Sequence, residues 1–270
     1  MDLKIVTKST KPKNSVQSIE RVSMILDVLS GYTQGLSLGD LSTKVDLSKG
    51  TAHRLLSTLA FLDYVRQDPE TKKYNLGFKL VELGNRLLSQ IDFRTEARPF
   101  LVDLAERTKE TVHLVILDQK EVLYIDKVEA SDYPTGLRMV SMLGARIPAH
   151  CSAVGKVLLA ALPEKKVERL ARNTGIPKRT ENTITDLEKL KAHLQIVKKN
   201  GYAFDNEENE IGVRCVAGPI RDQRGEVIAA ISISVPASRV QPRILKTALK
   251  DRVIETALNI SRKIGYQGDA

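Results

Sequence analysis

The chain has 270 residues, 42% of them hydrophobic, and a formal net charge of +9 at pH 7. That length suits two domains, and two distant cysteines, Cys151 and Cys215, make no disulfide framework. The longest nearly apolar run, Val227 to Val235, falls far short of the roughly 20 residues that span a bilayer, and nothing at the N-terminus resembles a signal peptide.

The expectation is therefore a soluble cytoplasmic protein with no membrane association. Its basic balance suits an acidic partner such as nucleic acid. Residues 1–14 read as a basic tail in which Lys4, Lys8, Lys11 and Lys13 face only Asp2. From there the apolar period becomes helical, with Val16, Ile19, Val22, Ile25, Leu26 and Leu29 on one face and Gly31 and Gly35 closing the helix. Leu38 to Val45 reads as a short second helix. Ser48 is the natural N-cap of a third, whose inward residues Ala52, Leu55, Leu56 and Leu59 recur at spacings of three and four. Tyr64–Gln67 and Lys73–Leu76 flank Asp68-Pro69-Glu70-Thr71 and read as a β-hairpin.

Helices, tight turn and hairpin in that order make a winged helix-turn-helix over residues 15–77. Removing the core face of the third helix leaves Ser48 at its start and Lys49, Thr51, His53, Arg54, Ser57 and Thr58 outward, none of them acidic. A helix that enters the major groove needs such donors on its outer face. Lys72 and Lys73 on the wing suit flanking phosphates. A surface helix with a polar outer face is the plainer alternative for any one of these residues.

Residues 78–92 read as a connecting helix and residues 93–270 as a second domain. In it the predicted helices are 95–109, 153–162, 164–174, 186–200 and 243–264, and the predicted strands 112–117, 121–128, 202–205, 213–221 and 227–235. The fold class is α+β, with a mixed, mostly antiparallel sheet in the second domain.

The chain closely resembles the IclR-type regulators of bacteria. The matching stretches are Ser15–Arg21, Leu47–Leu56, Tyr64-Val65 and Lys73–Gly77 in the first domain. In the second they are Gly144–Lys156, Gly201–Glu208, Gly212–Ala217 and Ala230–Pro236. The resemblance implies a GAF-like sensor domain that binds a small metabolite. It also implies a homodimer, or a dimer of dimers, on a palindromic operator, acting as repressor or activator; no cofactor is expected. Carried over residue by residue, its effector site comprises Leu143, Gly144, Ala145, Asp205, Cys215, Ser232 and Ser234.

The residues themselves fit that assignment. Alternation puts Ser232 and Ser234 on one face of a strand, opposite Ile231, Ile233 and Val235, and hydroxyls can donate to a carboxylate. Gly144 would let a backbone N–H approach a ligand, and Ser152 would cap the helix at Ala153. With Asp205 beside the ligand, a hydroxy or keto acid is favoured over a bare aliphatic acid.

An enzyme is the competing class. His150 beside Cys151 invites a thiol-nucleophile reading, but neighbours on extended backbone point to opposite faces, and no orienting acid or oxyanion hole can be placed. A metal held by Cys215, Asp205 or His150 is a weaker alternative, because the four histidines are scattered. No Gly-x-Gly occurs and Gly155-Lys156 is followed by Val157, so neither a dinucleotide fingerprint nor a P-loop is present. A sensor module without DNA binding would leave residues 15–77 unexplained.

Overall fold

The computed structural model describes residues 14–89, 91–130 and 141–268; apart from Asn14, the basic tail lies outside them. The chain divides into two compact units, Met1–Gln90 and Ile91–Ala270.

In the first unit, α1 (Gln17–Ser30), α2 (Leu38–Lys44) and α3 (Lys49–Phe61) precede strands β1 (Val65–Gln67) and β2 (Tyr74–Leu76), and α4 (Lys79–Ser89) follows. Ile25, Leu29, Leu41, Val45, Leu56, Leu59, Val65 and Tyr74 form one core. The hairpin pairs Val65 with Leu76 and Gln67 with Tyr74, and Leu36 bridges to Tyr74, tying the α1–α2 connection to the wing. Val16 and Ile19, expected on the inward face, are 56% and 67% exposed. They sit at the start of α1, beyond the side chains that α2, α3 and the hairpin supply, so helical periodicity continues there without a core to meet it.

In the second unit, α5 (Asp92–Thr108) leads into β3 (Thr111–Asp118) and β4 (Glu121–Val128). Strand β5 (Arg146–Pro148) precedes α6 (Ala153–Ala160), α7 (Glu164–Thr174) and α8 (Leu187–Asn200). Strands β6 (Ala203–Asn206), β7 (Val213–Arg221) and β8 (Val227–Pro236) follow, then α9 (Pro242–Ile244), a π turn (Leu245–Leu249) and α10 (Lys250–Lys263). The sheet order is β5-β4-β3-β8-β7-β6, and every described pairing is antiparallel. The sequence reading missed β5, a three-residue edge strand too short to show a period. The closing helix expected over 243–264 is interrupted by the π turn, which hydrophobic spacing does not distinguish from α-helix.

Helices α5 and α10 cover one face of the sheet, and α6 the other with α7 and α8 outside it. The α6 side is built from Val115, Val122, Ala203, Ala217 and Ala230 on the strands against Val154, Val157 and Leu158. Small side chains on the central strands let the helix lie close. Gly155 meets instead the segment leading from β5 into α6: a Cβ there would stand 2.2 Å from the Ala149 carbonyl oxygen and 2.4 Å from its Cα. Gly155→Ala is therefore expected to force backbone apart and cost about 1–3 kcal/mol, seen as a lower urea midpoint at unchanged slope. A wild-type midpoint would mean that α6 is free to lift from Ala149.

Candidate nucleic-acid interface and sensor site

Helix α3 is set by its cap. The Ser48 hydroxyl accepts the Thr51 N–H at 3.3 Å and donates to the Thr51 hydroxyl at 3.0 Å. The turn before it is tight enough to hold Asp46 at φ +50°. Ala52, Leu56 and Leu59 are buried, and Leu55 is partly buried. Ser48, Lys49, His53, Arg54, Ser57 and Thr58 are all exposed, with Thr51 half-buried, and the first turn carries no acid. The sequence-derived recognition residues thus share one surface. Thr51, His53, Arg54, Leu55, Ser57 and Thr58 border an open groove of about 580 Å³, and Ser18 and Arg21 of α1 close its other side. Those two were missed, although the helical period already turns them away from the α1 core.

The wing is held by Asp68, whose backbone accepts the Lys72 N–H at 3.0 Å and donates to the Lys73 carbonyl at 2.8 Å. Its carboxylate accepts the N–H groups of Glu70 and Thr71, and the Thr71 bonds hold its pKa below the ordinary carboxylate value. Lys72 adopts φ +56° at the turn and is exposed, whereas Lys73 is half-buried. Arg66 on β1 stacks over the Phe78 ring at 4.9 Å.

In the second unit, pairing register brings together residues far apart in sequence. Asp205 pairs with Cys215, Cys215 with Ser234 and Ser234 with Thr111. One row along, Ala203, Ala217, Ser232 and His113 follow the same order. Ala203, Ala217 and Ala230 pack with α6, and Cys215 and Tyr124 pack there too, so Asp205, Cys215, Ser232, Ser234 and His113 form a polar strip on the α6 face. Ser234 bonds Cys215 Sγ at 3.1 Å and His113 Nδ1 at 3.3 Å. His113 Nε2 bonds the Ser141 hydroxyl at 2.7 Å, and the His113 ring packs on Tyr124 at 4.9 Å between centroids. His113, Tyr124 and Ser141 escaped the sequence reading. The alternation of β3 is visible in sequence, but its register against β8, more than a hundred residues away, is not.

Leu143, Gly144 and Ala145 form the turn into β5. Leu143 is 48% exposed. The N–H of Gly144 donates to the Tyr124 carbonyl at 2.9 Å and that of Ala145 to the Met142 carbonyl at 3.0 Å. Contrary to the expectation from sequence, these N–H groups are engaged within the chain. Gly144 is needed for its φ of +82°, while space around it is open. Ser152 does cap α6, accepting the Gly155 N–H at 3.2 Å, and it donates to the Pro148 carbonyl at 3.1 Å.

Burial governs the titration of the strip. Asp205 is pushed up to about 7, chiefly by burial and against the Glu208 N–H that its carboxylate accepts at 2.7 Å. His113 is held down to about 3 by burial and by Lys127, so it is neutral at physiological pH. Burial also raises the Cys215 and Tyr124 protons well above their ordinary values. Behind the strip, fully buried Lys156 pairs with Glu208 at 2.5 Å. Cys151 Sγ faces Asn209 at 3.6 Å, and burial lifts its pKa to about 12. His150 turns the other way, to the Pro177 carbonyl at 3.0 Å. The thiolate that a nucleophilic Cys151 would need is thus disfavoured. Among the described residues no three His, Cys, Asp or Glu side chains gather as metal ligands do, and no described helix is long and apolar enough to cross a membrane.

A helix-turn-helix followed by this six-stranded unit matches known domains over nearly the whole chain. Residues 18–69 match the IclR helix-turn-helix domain and residues 85–262 the bacterial transcriptional regulator IclR C-terminal domain. The chain belongs to the IclR family. Like other IclR members it is a DNA-binding transcriptional regulator and not an enzyme. It is 40% identical to the HTH-type transcriptional regulator XynR of Escherichia coli, over 93% of this chain and 98% of XynR. To KdgR of the same organism it is 39% identical over 95% of each. The crystal structure of Thermotoga maritima IclR is similar at 36% identity with a TM-score of 0.79, covering 92% of this chain and 99% of that one. An IclR homologue from Microbacterium hydrocarbonoxydans, at 24% identity, shares the fold with a TM-score of 0.79 over 92% of this chain and 99% of its own.

The sign of the Asp205 effect follows from its raised value. The fold favours the protonated carboxyl, so its relative stability is greatest below the ordinary value of 3.8. It falls as the unfolded chain ionises and the native one does not, up to about 7. Asp205→Asn, which keeps an oxygen for the Glu208 N–H, is expected to gain on wild type by more than about 1 kcal/mol between pH 4 and pH 8. Parallel denaturation curves for the two proteins at each pH check this, and a constant difference would place the Asp205 proton elsewhere.

Proposed function

We propose that this regulator's affinity for its operator is controlled by a small hydroxy or keto acid bound on the polar strip of the second unit. The observation that carries it is the single register row of Asp205, Cys215 and Ser234, with Ser232 beside it. Strand centres facing a helix are ordinarily apolar, so a buried polar row kept there, bonded within itself, supports a role beyond packing. Hydroxyl donors and the α6 N-terminus favour a carboxylate, while Asp205 can accept the hydroxyl of a ligand. The Microbacterium hydrocarbonoxydans homologue is complexed with 4-hydroxybenzoate, a complex that speaks for the fold rather than for these residues. Leu143, Gly144 and Ala145 would bound the site from the turn before β5.

On the DNA side, Arg54 is assigned to a base edge and Lys49, Thr51, His53, Ser57 and Thr58 to the surrounding groove and phosphates. Ser48 and the α3 N-terminus suit a phosphate. Lys72, Lys73 and Arg21 would position the duplex from either side. One such helix reads few base pairs, so a homodimer on a palindromic site is the fitting assembly, alone or as a dimer of dimers. Phe78, Val81 and Leu87, which are 73%, 56% and 63% exposed on and beside α4, supply apolar surface for it.

Titrations on the promoter adjacent to the protein's own gene test the DNA half. Arg54→Ala is expected to lose about 1–3 kcal/mol of specific binding. Lys72→Ala should weaken all sequences alike and lower the salt slope by about 1. Unchanged affinity in the first, or altered base preference in the second, would reverse the assignments.

For the sensor half, a series of small hydroxy and keto acids is titrated into the protein–promoter complex. Ser232→Ala with Ser234→Ala is expected to abolish the response while leaving operator affinity near wild type. A double variant that responds with unchanged acid affinity by calorimetry would move the site elsewhere.

A further inference from the structure

Ser141, His113, Ser234 and Cys215 form an unbroken hydrogen-bonded chain, hydroxyl to imidazole to hydroxyl to thiol, at 2.7, 3.3 and 3.1 Å. It runs from the turn before β5 to the middle of the sheet, and Asp205 stands beside its far end in the same register row. His113 is 2% exposed and Ser234 3%, so water offers little alternative to these bonds. Both imidazole nitrogens are engaged.

We infer that His113 determines effector specificity by keeping Ser141 and Ser234 from both presenting hydrogen-bond donors, and that the site therefore selects a hydroxy acid over the corresponding keto acid. This rests on the sensor reading above and sharpens it. A neutral imidazole has one N–H donor and one acceptor nitrogen. With the proton on Nε2, His113 donates to Ser141, whose own O–H is released toward the ligand. Nδ1 then takes the Ser234 O–H, and Ser234 offers only lone pairs. With the proton on Nδ1 the parts exchange, and Ser234 turns its O–H to the ligand or to Cys215 Sγ. In neither tautomer do both serines present donors.

A hydroxy acid matches that pattern, with a carboxylate oxygen for the free O–H and a hydroxyl for the lone pairs. A keto acid brings acceptors to both places and leaves lone pairs facing lone pairs, a loss comparable to a missing hydrogen bond. Only a charged imidazole would offer two donors at once. Burial opposes that charge, as does Lys127. The Tyr124 ring packs against the imidazole at 4.9 Å between centroids, tilted by 56°.

The test has two arms. In the first, ring-¹⁵N spectra of histidine-labelled full-length protein are recorded, with His113 assigned by the signal lost in His113→Phe. The expected result is a neutral ring at pH 7 whose tautomer balance shifts in Ser141→Ala or in Ser234→Ala. A charged ring, or a balance that neither replacement moves, overturns the inference. Ser141 is only half-buried, so its variant keeps this arm decisive should His113→Phe fail to fold, and the assignment then comes from the shift itself.

In the second arm, calorimetry compares paired acids: lactate with pyruvate, malate with oxaloacetate, mandelate with phenylglyoxylate. For any pair that binds, wild type is expected to prefer the hydroxy partner roughly tenfold and His113→Phe to lose most of that preference. Equal binding of both partners by wild type, or full discrimination in the variant, refutes the role of His113. If no pair binds while the spectra show coupling, the proposed effector class is at fault and the His113 coupling stands.

Discussion

Strand β8 lies between β3 and β7, and its two antiparallel registers decide what meets what in the sensor unit. Because side chains alternate, one face of β8 gives Ile231, Ile233 and Val235 to the core beneath α5 and α10, while the other gives Ser232 and Ser234 to the α6 side. The same registers deliver His113 from β3, Cys215 from β7 and, through β7, Asp205 from β6. The β3–β8 pairing joins residues more than a hundred apart in sequence, as His113 and Ser232 are. The apolar face supplies the burial that holds the strands in register, and the polar face inherits its geometry from that burial at no extra constraint.

The two units differ in how much could be read in advance. The helix-turn-helix is governed by short-range rules. A serine cap, a core face repeating every three or four residues and a proline-containing turn were legible, because each acts within a few residues. Only Val16 and Ile19 departed, since periodicity reports a face and not what covers it. In the sensor unit every strand but the three-residue β5 was legible, and Asp205, Cys215, Ser232 and Ser234 came through resemblance. Their partners His113, Tyr124 and Ser141 were not legible, because strand register is a property of the folded sheet. Gly144 shows the converse, a residue in its anticipated place whose N–H is already bonded to Tyr124.

Charge burial is arranged in depth behind the strip. Lys156, with no exposed surface, meets Glu208, and the segment carrying Glu208 is held by Thr180 and Thr183, whose hydroxyls bond its carbonyl at 3.2 and 2.7 Å. An ion pair so placed adds little net stability against an apolar pair, yet losing either partner strands a charge. It fixes the segment from which the Glu208 N–H reaches Asp205, and so helps set where the carboxyl that faces the strip can stand.

The alternation along β8 also bears on how this lineage can vary. A substitution at 232 or 234 changes the sensing chemistry and leaves the hydrophobic face intact. One residue inserted within the strand would exchange the faces, turning serines toward α10 and isoleucines toward α6. The sheet absorbs extra residues at its two register shifts, Leu114/Val115 and Ile220/Arg221. Ligand preference in this scaffold should therefore diverge by point replacement on the strip, with changes of chain length confined to bulges and turns.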